Sequence, residues 1–120
     1  MKLQIEKNGE VNVLRLAGRM TIEQGGGVQL RDRVGVLVDE GERRFILDMS
    51  GVDYLDSAAI GSVVACYKRA TAFGGMVKIV LTPDNPLRQV FALTHLDQVF
   101  EIYGDDHEAL AGFTSGPCPR

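Results

Sequence analysis

Three carboxylates and two hydroxyls crowd into one stretch, Asp48, Ser50, Asp53, Asp56 and Ser57. Asp48 directly follows the apolar run Phe45-Ile46-Leu47, so a metal-assisted phosphoryl acceptor is the first chemistry to test. Such a site also needs acidic residues after the first parallel strand, and Gly18-Arg19-Met20-Thr21 supplies none. A nucleotide site at Asp48 requires a phosphate-cradling loop, yet no Lys-Ser/Thr follows Gly25-Gly26-Gly27, and Gly-x-Gly-x-x-Gly is absent. The local reading is that Asp48 and Ser50 bind backbone groups in a turn, while Asp56 caps a helix. A nucleophilic Ser57 would need a base, and no motif links it to His95 or His107, which read as surface residues. On the local sequence alone, Ser57 is a capping hydroxyl.

The flanking elements determine how that hydroxyl is presented. Phe45, Ile46, Leu47 and Met49, interrupted only by Asp48, predict a strand buried on both faces. Ser50-Gly51 is expected to break it, and Val52, Tyr54 and Leu55 lead on to Asp56-Ser57. Ile60, Val63, Val64, Tyr67 and Ala70 then recur at helical spacing until Gly74-Gly75 ends the run. Ser57 therefore belongs to the first helical turn, where unpaired N–H groups and the positive end of the helix dipole meet. Gly61 weakens a helix interior unless close approach requires it. Either a docking partner or tight packing on the sheet would account for it.

On the N-terminal side, Leu3 and Ile5 alternate with polar residues, and Asn8-Gly9 predicts a hairpin turn into a second strand, Val11 to Ala17, closed by Gly18. The triple glycine predicts a loose entry to a helix from about Val28 to Glu40, stopped by Gly41. Beyond the central helix, Met76 to Leu81 reads as a strand. Asn85 is placed as N-cap of a helix with Pro86 at its first position and Leu87, Val90, Phe91 and Thr94 on its buried face. Val99 to Tyr103 predicts a last strand, and Asp105-Asp106 a cap for a final helix through Leu110 or a little beyond. Strand–helix alternation after the hairpin implies an α/β fold with a mostly parallel sheet, right-handed crossovers and helices largely on one face.

The length of 120 residues suits a single domain, and 45% hydrophobic with 24% charged residues matches a soluble globular chain. A net charge of −3 argues against a nucleic-acid partner. No apolar run approaches the roughly 20 residues of a membrane span. The first residues lack the apolar core of a signal peptide, so a cytoplasmic protein is expected. Cys66 reads as a core filler and Cys118 lies in a polar tail, which leaves no disulfide framework or metal ligand set.

Asp48-Met49-Ser50 followed by Leu55-Asp56-Ser57-Ala58-Ala59-Ile60-Gly61 resembles the signature of STAS domains, in particular the bacterial anti-sigma factor antagonists. The resemblance extends from about Leu3 to Ala111 through the strand ending at Gly18, the Gly74-Gly75 junction and the Pro83…Leu87…Phe91 helix. It implies a STAS-like α/β domain over residues 1–112, while the Ser, Gly, Pro, Cys, Pro and Arg residues from Thr114 on read as unstructured, so that 113–120 is expected as a disordered tail. It places Ser57 where the family carries its phosphorylated serine, and implies a partner-binding surface of Thr21, Asp56, Ser57, Ala58, Ala59, Ile60 and Gly61. The implied partners are an anti-sigma factor that is also a serine kinase, and a phosphatase. The implied domain is not an enzyme and has no cofactor of its own, ATP and magnesium belonging to the kinase. Ala58 and Ala59 stand where the family has Ser/Thr and Gly, and Thr21 where it often has an acid. These departures suit an alternative, a permanently docking STAS module such as a small subunit of a lipid-transport ABC system.

Overall fold

The strands lie side by side in chain order, β1-β2-β3-β4-β5, in a computed structural model that describes residues 2–22, 25 and 27–114. Strands β1 (Lys2–Asn8) and β2 (Val11–Met20) form the antiparallel hairpin that Asn8-Gly9 predicts, with Gly9 at φ 64°. Strands β3 (Arg44–Leu55), β4 (Met76–Val80) and β5 (Glu101–Tyr103) each add in parallel to the strand before. The crossovers carry helices α1 (Val28–Asp39), α2 (Ser57–Ala72) and α3 (Leu87–Leu93), and α4 (Asp106–Thr114) follows the last strand.

The alternation of strand side chains explains the unbroken apolar run at 45–47. Phe45 and Leu47 join Leu14, Leu16, Met49 and Ile79 in the main core under α1, α2 and α3. Ile46 points the other way, joining Val11, Val13 and Val80 beneath Ala109 of α4. Among the described residues, three helices thus cover one face of the sheet and α4 alone covers part of the other. Cys66 is buried in the main core, and burial pushes its thiol up to about 12.

Two expected strand ends are bulges instead. Strand β2 continues past Gly18 to Met20, and β3 continues through Ser50-Gly51 to Leu55. Their pairing shifts register between Arg15 and Ala17, and again between Gly18 and Arg19. Gly51 stands close against Ala17, since a Cβ there would lie a tight 3.0 Å from the Leu16 carbonyl oxygen and 3.1 Å from the Ala17 Cβ. Glycine in this strand therefore absorbs a local irregularity and does not end the pairing. The extension sets Met20 beside Leu55, with the Asp56 N–H donating to the Met20 carbonyl at 3.2 Å.

Smaller differences follow from local bonding. Asn85 Oδ1 accepts from the Leu87 N–H at 2.9 Å, so the expected cap forms, although α3 begins one residue after Pro86. The last strand starts at Glu101, not Val99, because His95 at φ 61° turns the chain into a short 3-10 helix, Leu96–Gln98. Asp105 Oδ1 caps α4 by accepting from the Glu108 N–H at 2.8 Å. Helix α4 runs to Thr114, two residues into the stretch expected as a tail, and Phe113 packs on the smaller core. Residues 115–120, and Gly26 of the triple glycine, lie outside the described residues.

One side chain joins three of these elements on the α4 face. The Arg15 guanidinium on β2 reaches Glu6 of β1 at 2.9 Å, Asp48 of β3 at 2.7 Å and Asp106 at the start of α4 at 2.7 Å. Direct hydrogen bonds from Arg15 hold the Glu6 and Asp106 carboxyls below the usual carboxylate range.

Candidate partner-docking site

The prolonged β2 and β3 deliver two chain segments side by side at one end of the sheet: Thr21-Ile22 leaving β2, and Asp56-Ser57 leaving β3. Asp56 keeps extended backbone angles (φ −100°, ψ −177°) while Ser57 begins α2, the geometry of an N-cap residue. Its Oδ1 accepts from the Ala59 N–H at 3.0 Å, and its Oδ2 accepts from the Ile22 N–H at 2.7 Å. These bonds stabilise the charged carboxylate and hold its pKa below the ordinary value, the Ala59 N–H contributing most and the Ile22 N–H next.

The residues named from the sequence divide by burial. Ser57 and Gly61 are exposed on the first turns of α2, Asp56 and Ala58 are half-buried, and Ile60 is half-buried against the main core. Ala59 is fully buried in that core and Thr21 is buried at the end of β2. Neither side chain forms part of the outer surface, because the buried face of α2 follows Ala59, Ser62, Val63, Cys66 and Ala70. That face is rotated from the expected stripe of Ile60, Val63, Val64, Tyr67 and Ala70.

Three neighbouring residues escaped the sequence reading. Ile22 leaves 72% of its surface exposed, although it is held by Asp56 through its backbone. Tyr54 is 51% exposed, with the Arg19 guanidinium 5.4 Å above its ring. The strand end that leads into Asp56-Ser57 thus carries an aromatic ring with a cation above it, and the segment bonded to Asp56 carries an exposed aliphatic group. The signal in the sequence is slight: a single isoleucine beside a glycine run has no periodicity to place it.

The competing chemistries find no geometry. Asp48 is engaged by Arg15 and by the Ser50 N–H, which donates to Asp48 Oδ1 at 3.1 Å. Among the described residues, no group of three or more His, Cys, Asp or Glu side chains is placed to hold a metal ion. His107 opens α4, which packs on the sheet face opposite to α2, and His95 is exposed in the turn after α3.

Of the two explanations for Gly61, tight packing on the sheet is ruled out. A Cβ built there meets nothing within 4 Å. Gly61→Ala is therefore expected to stabilise the fold by about 0.5–1 kcal/mol, the helix-interior difference between the two residues. Urea denaturation checks this through a higher midpoint at unchanged slope. A lower midpoint would mean that the helix is packed more closely at this point.

The arrangement recurs in known proteins. The family model described as the STAS domain matches residues 2–109. The chain is 29% identical, over 121 residues and the full length of both chains, to BtrV of Bordetella bronchiseptica, which is described as a candidate anti-sigma factor antagonist. In fold it is similar to a candidate anti-sigma factor antagonist from Thermotoga maritima, with a TM-score of 0.84 at 24% identity over 94% of this chain and 95% of that one. It is also similar to the phosphorylated form of the Bacillus cell fate determinant SpoIIAA, with a TM-score of 0.70 at 22% identity over 91% and 96% of the two chains. With a family model spanning the whole sheet, helices α1 to α3 and the start of α4, and a relative aligned from end to end, the chain belongs to the STAS domain family.

Proposed function

We propose that this protein is an anti-sigma factor antagonist that acts by phosphorylation-controlled partner switching at Ser57. Its partner is an anti-sigma factor that is also a serine kinase, and a phosphatase resets the cycle in the cytoplasm. The observation that carries this reading is the placement of Ser57. Its hydroxyl is exposed on the first turn of a helix whose other face is locked in the core. Ser57 follows directly on Asp56, whose carboxylate holds the exposed Ile22 by its backbone N–H. Such a residue can be modified without disturbing the fold. The kinship with BtrV and with a protein known in a phosphorylated form supports the same assignment. Among the described residues, no helix is long and apolar enough to cross a membrane.

The chemistry at Ser57 belongs to the kinase. The Ser57 Oγ bonds to the γ-phosphorus of ATP, the bond from that phosphorus to ADP breaks, and the hydroxyl proton leaves to the kinase or solvent. The product carries about −1.5 to −2 added charges next to Asp56. At a closely packed interface that charge brings bulk, desolvation and repulsion from acidic groups of the partner. Binding is lost while the domain stays folded.

The test is affinity capture from the native cell, with phosphopeptide mapping of the bait, followed by binding measurements on the captured partner. Ser57→Ala is expected to fold and to bind constitutively. Ser57→Asp or phosphorylated protein is expected to bind at least about tenfold more weakly, a loss of about 1.4 kcal/mol. Capture of a transporter ATPase, with no phosphate on Ser57, would replace partner switching with the permanent docking module.

A further inference from the structure

Asp56 makes two side-chain hydrogen bonds, and they tie together different parts of the chain. Oδ1 serves α2 through the Ala59 N–H at 3.0 Å, while Oδ2 serves the segment after β2 through the Ile22 N–H at 2.7 Å. The first is a helix cap, which serine or asparagine would supply equally well. The second is not required by the helix at all, and it takes a residue with a second acceptor oxygen in line with the first.

On its other side, the Ile22 carbonyl closes only a local turn, accepting from the Gly25 N–H at 3.1 Å. Among the described residues, this loop next meets α2 at Gly27, which lies against Ser62. Among the described bonds, the Met20 carbonyl, accepting from the Asp56 N–H at 3.2 Å, holds the end of β2 to the residue beside Ser57, and the Asp56–Ile22 bond carries that attachment on to the start of the loop. The side chain it positions is absent from both cores and is 72% exposed.

We propose that Asp56 is a latch holding Ile22 in place beside Ser57, and that a phosphate on Ser57 alters the docking surface by releasing it. The inference rests on the reading of Ser57 as the phosphoacceptor. A phosphoserine adds about −1.5 to −2 charges and three strong acceptor oxygens to the residue next to Asp56. The carboxylate is repelled, and the phosphate oxygens compete for the N–H groups that it holds. The bond to Ile22 gives way first, because it joins two chain segments, whereas the cap to Ala59 spans only three residues within one. Ile22 then loses its fixed position, and the aliphatic contact beside Ser57 is lost together with the favourable charge. Asp56 acts here as a positioning residue, upstream of any direct clash between phosphate and partner.

The test needs no partner. Amide hydrogen exchange at Ile22 and Ala59 is measured by NMR in the full chain, in unmodified protein, in Asp56→Ser, and in protein carrying phosphoserine installed at position 57 during synthesis. Serine still caps Ala59 but does not reach Ile22. Asp56→Ser is thus expected to speed exchange at Ile22 by about tenfold or more, with Ala59 protection and the melting temperature little changed. Phosphoserine at 57 is expected to speed exchange at Ile22 to a similar extent. A folded phosphoserine protein whose Ile22 exchange stays within about twofold of the unmodified form overturns the latch, and that arm decides the matter even if Asp56→Ser fails to fold. Because the phosphate is installed without a kinase, this failure is distinct from that of the Ser57 assignment, which falls if the cell never phosphorylates it.

Discussion

Gly27→Ala should lower the free energy of unfolding by about 2–4 kcal/mol, as the sum of a backbone cost and an overpacking cost. Gly27 sits at φ 81°, in the left-handed region, where an L side chain costs about 1–2 kcal/mol. A Cβ there would also lie 2.8 Å from the Ser62 Cβ, 3.1 Å from the Ser62 Oγ and 3.1 Å from the Met20 Cε. The Ser62 Cβ belongs to the rigid stem of a core-facing helical residue, so it cannot swing aside as a long side chain could. Gly25 provides the control. Its φ of 95° is just as restrictive, but a Cβ there meets nothing within 4 Å. Gly25→Ala should therefore show only the backbone cost, about 1–2 kcal/mol. Urea midpoints of the two variants separate the terms, and equal losses would show that α1 and α2 have room to part at their N-terminal ends.

Arg15→Met should cost about 1–2 kcal/mol near neutral pH, more than an isolated surface pair because three carboxylates share one cation. The cost stays well below that of a buried ion pair because the Arg15, Glu6 and Asp106 side chains are 32%, 56% and 35% exposed. The substitution keeps most of the aliphatic stem but leaves Glu6, Asp48 and Asp106, from three elements, facing one another without a cation. The pH dependence identifies the cause. Arg15 depresses the folded-state pKa values of Glu6 and Asp106 below their ordinary values of 4.5 and 3.8. A depressed carboxyl pKa contributes stability that is fully present above the unfolded value and is lost as pH falls through the folded one. The gap between wild type and variant should therefore be widest at neutral pH and narrow steadily below about pH 4.5. Urea unfolding at neutral pH and at about pH 3 measures this. A gap that does not change with pH would mean that Arg15 acts through the packing of its stem.

What could be read in the sequence was local or strictly periodic. The Asn8-Gly9 hairpin, the two-faced burial of 45–47 and the Asp56 cap each depend on a few adjacent residues, and each is present. Glycine was harder to interpret, since the same residue ends a strand or bends it according to the strand opposite. Gly18 and Gly51 bend theirs because β2 and β3 are paired over them. The buried face of α2 was misjudged by part of a turn. Cys66 was legible as a core filler, but Ser62 has no place in the apolar stripe, and its small size lets Gly27 come close to the helix. The Arg15 junction and the Asp56–Ile22 bond connect residues 33, 91 and 34 positions apart. No pattern within one segment encodes such pairs.

The order of the strands also has a consequence during synthesis. Because β1 to β5 neighbour one another as they do along the chain, every strand leaving the ribosome meets an edge that is already complete. None has to wait for a later segment to be inserted between it and its neighbour, so the loops to be closed remain those of single crossovers, a topology associated with faster folding. The main core grows with each crossover helix, whereas the opposite face is covered only when α4 arrives. Until then Val11, Val13, Ile46 and Val80 stay open, so the last helix closes the one apolar face that the nascent chain still exposes among the described residues.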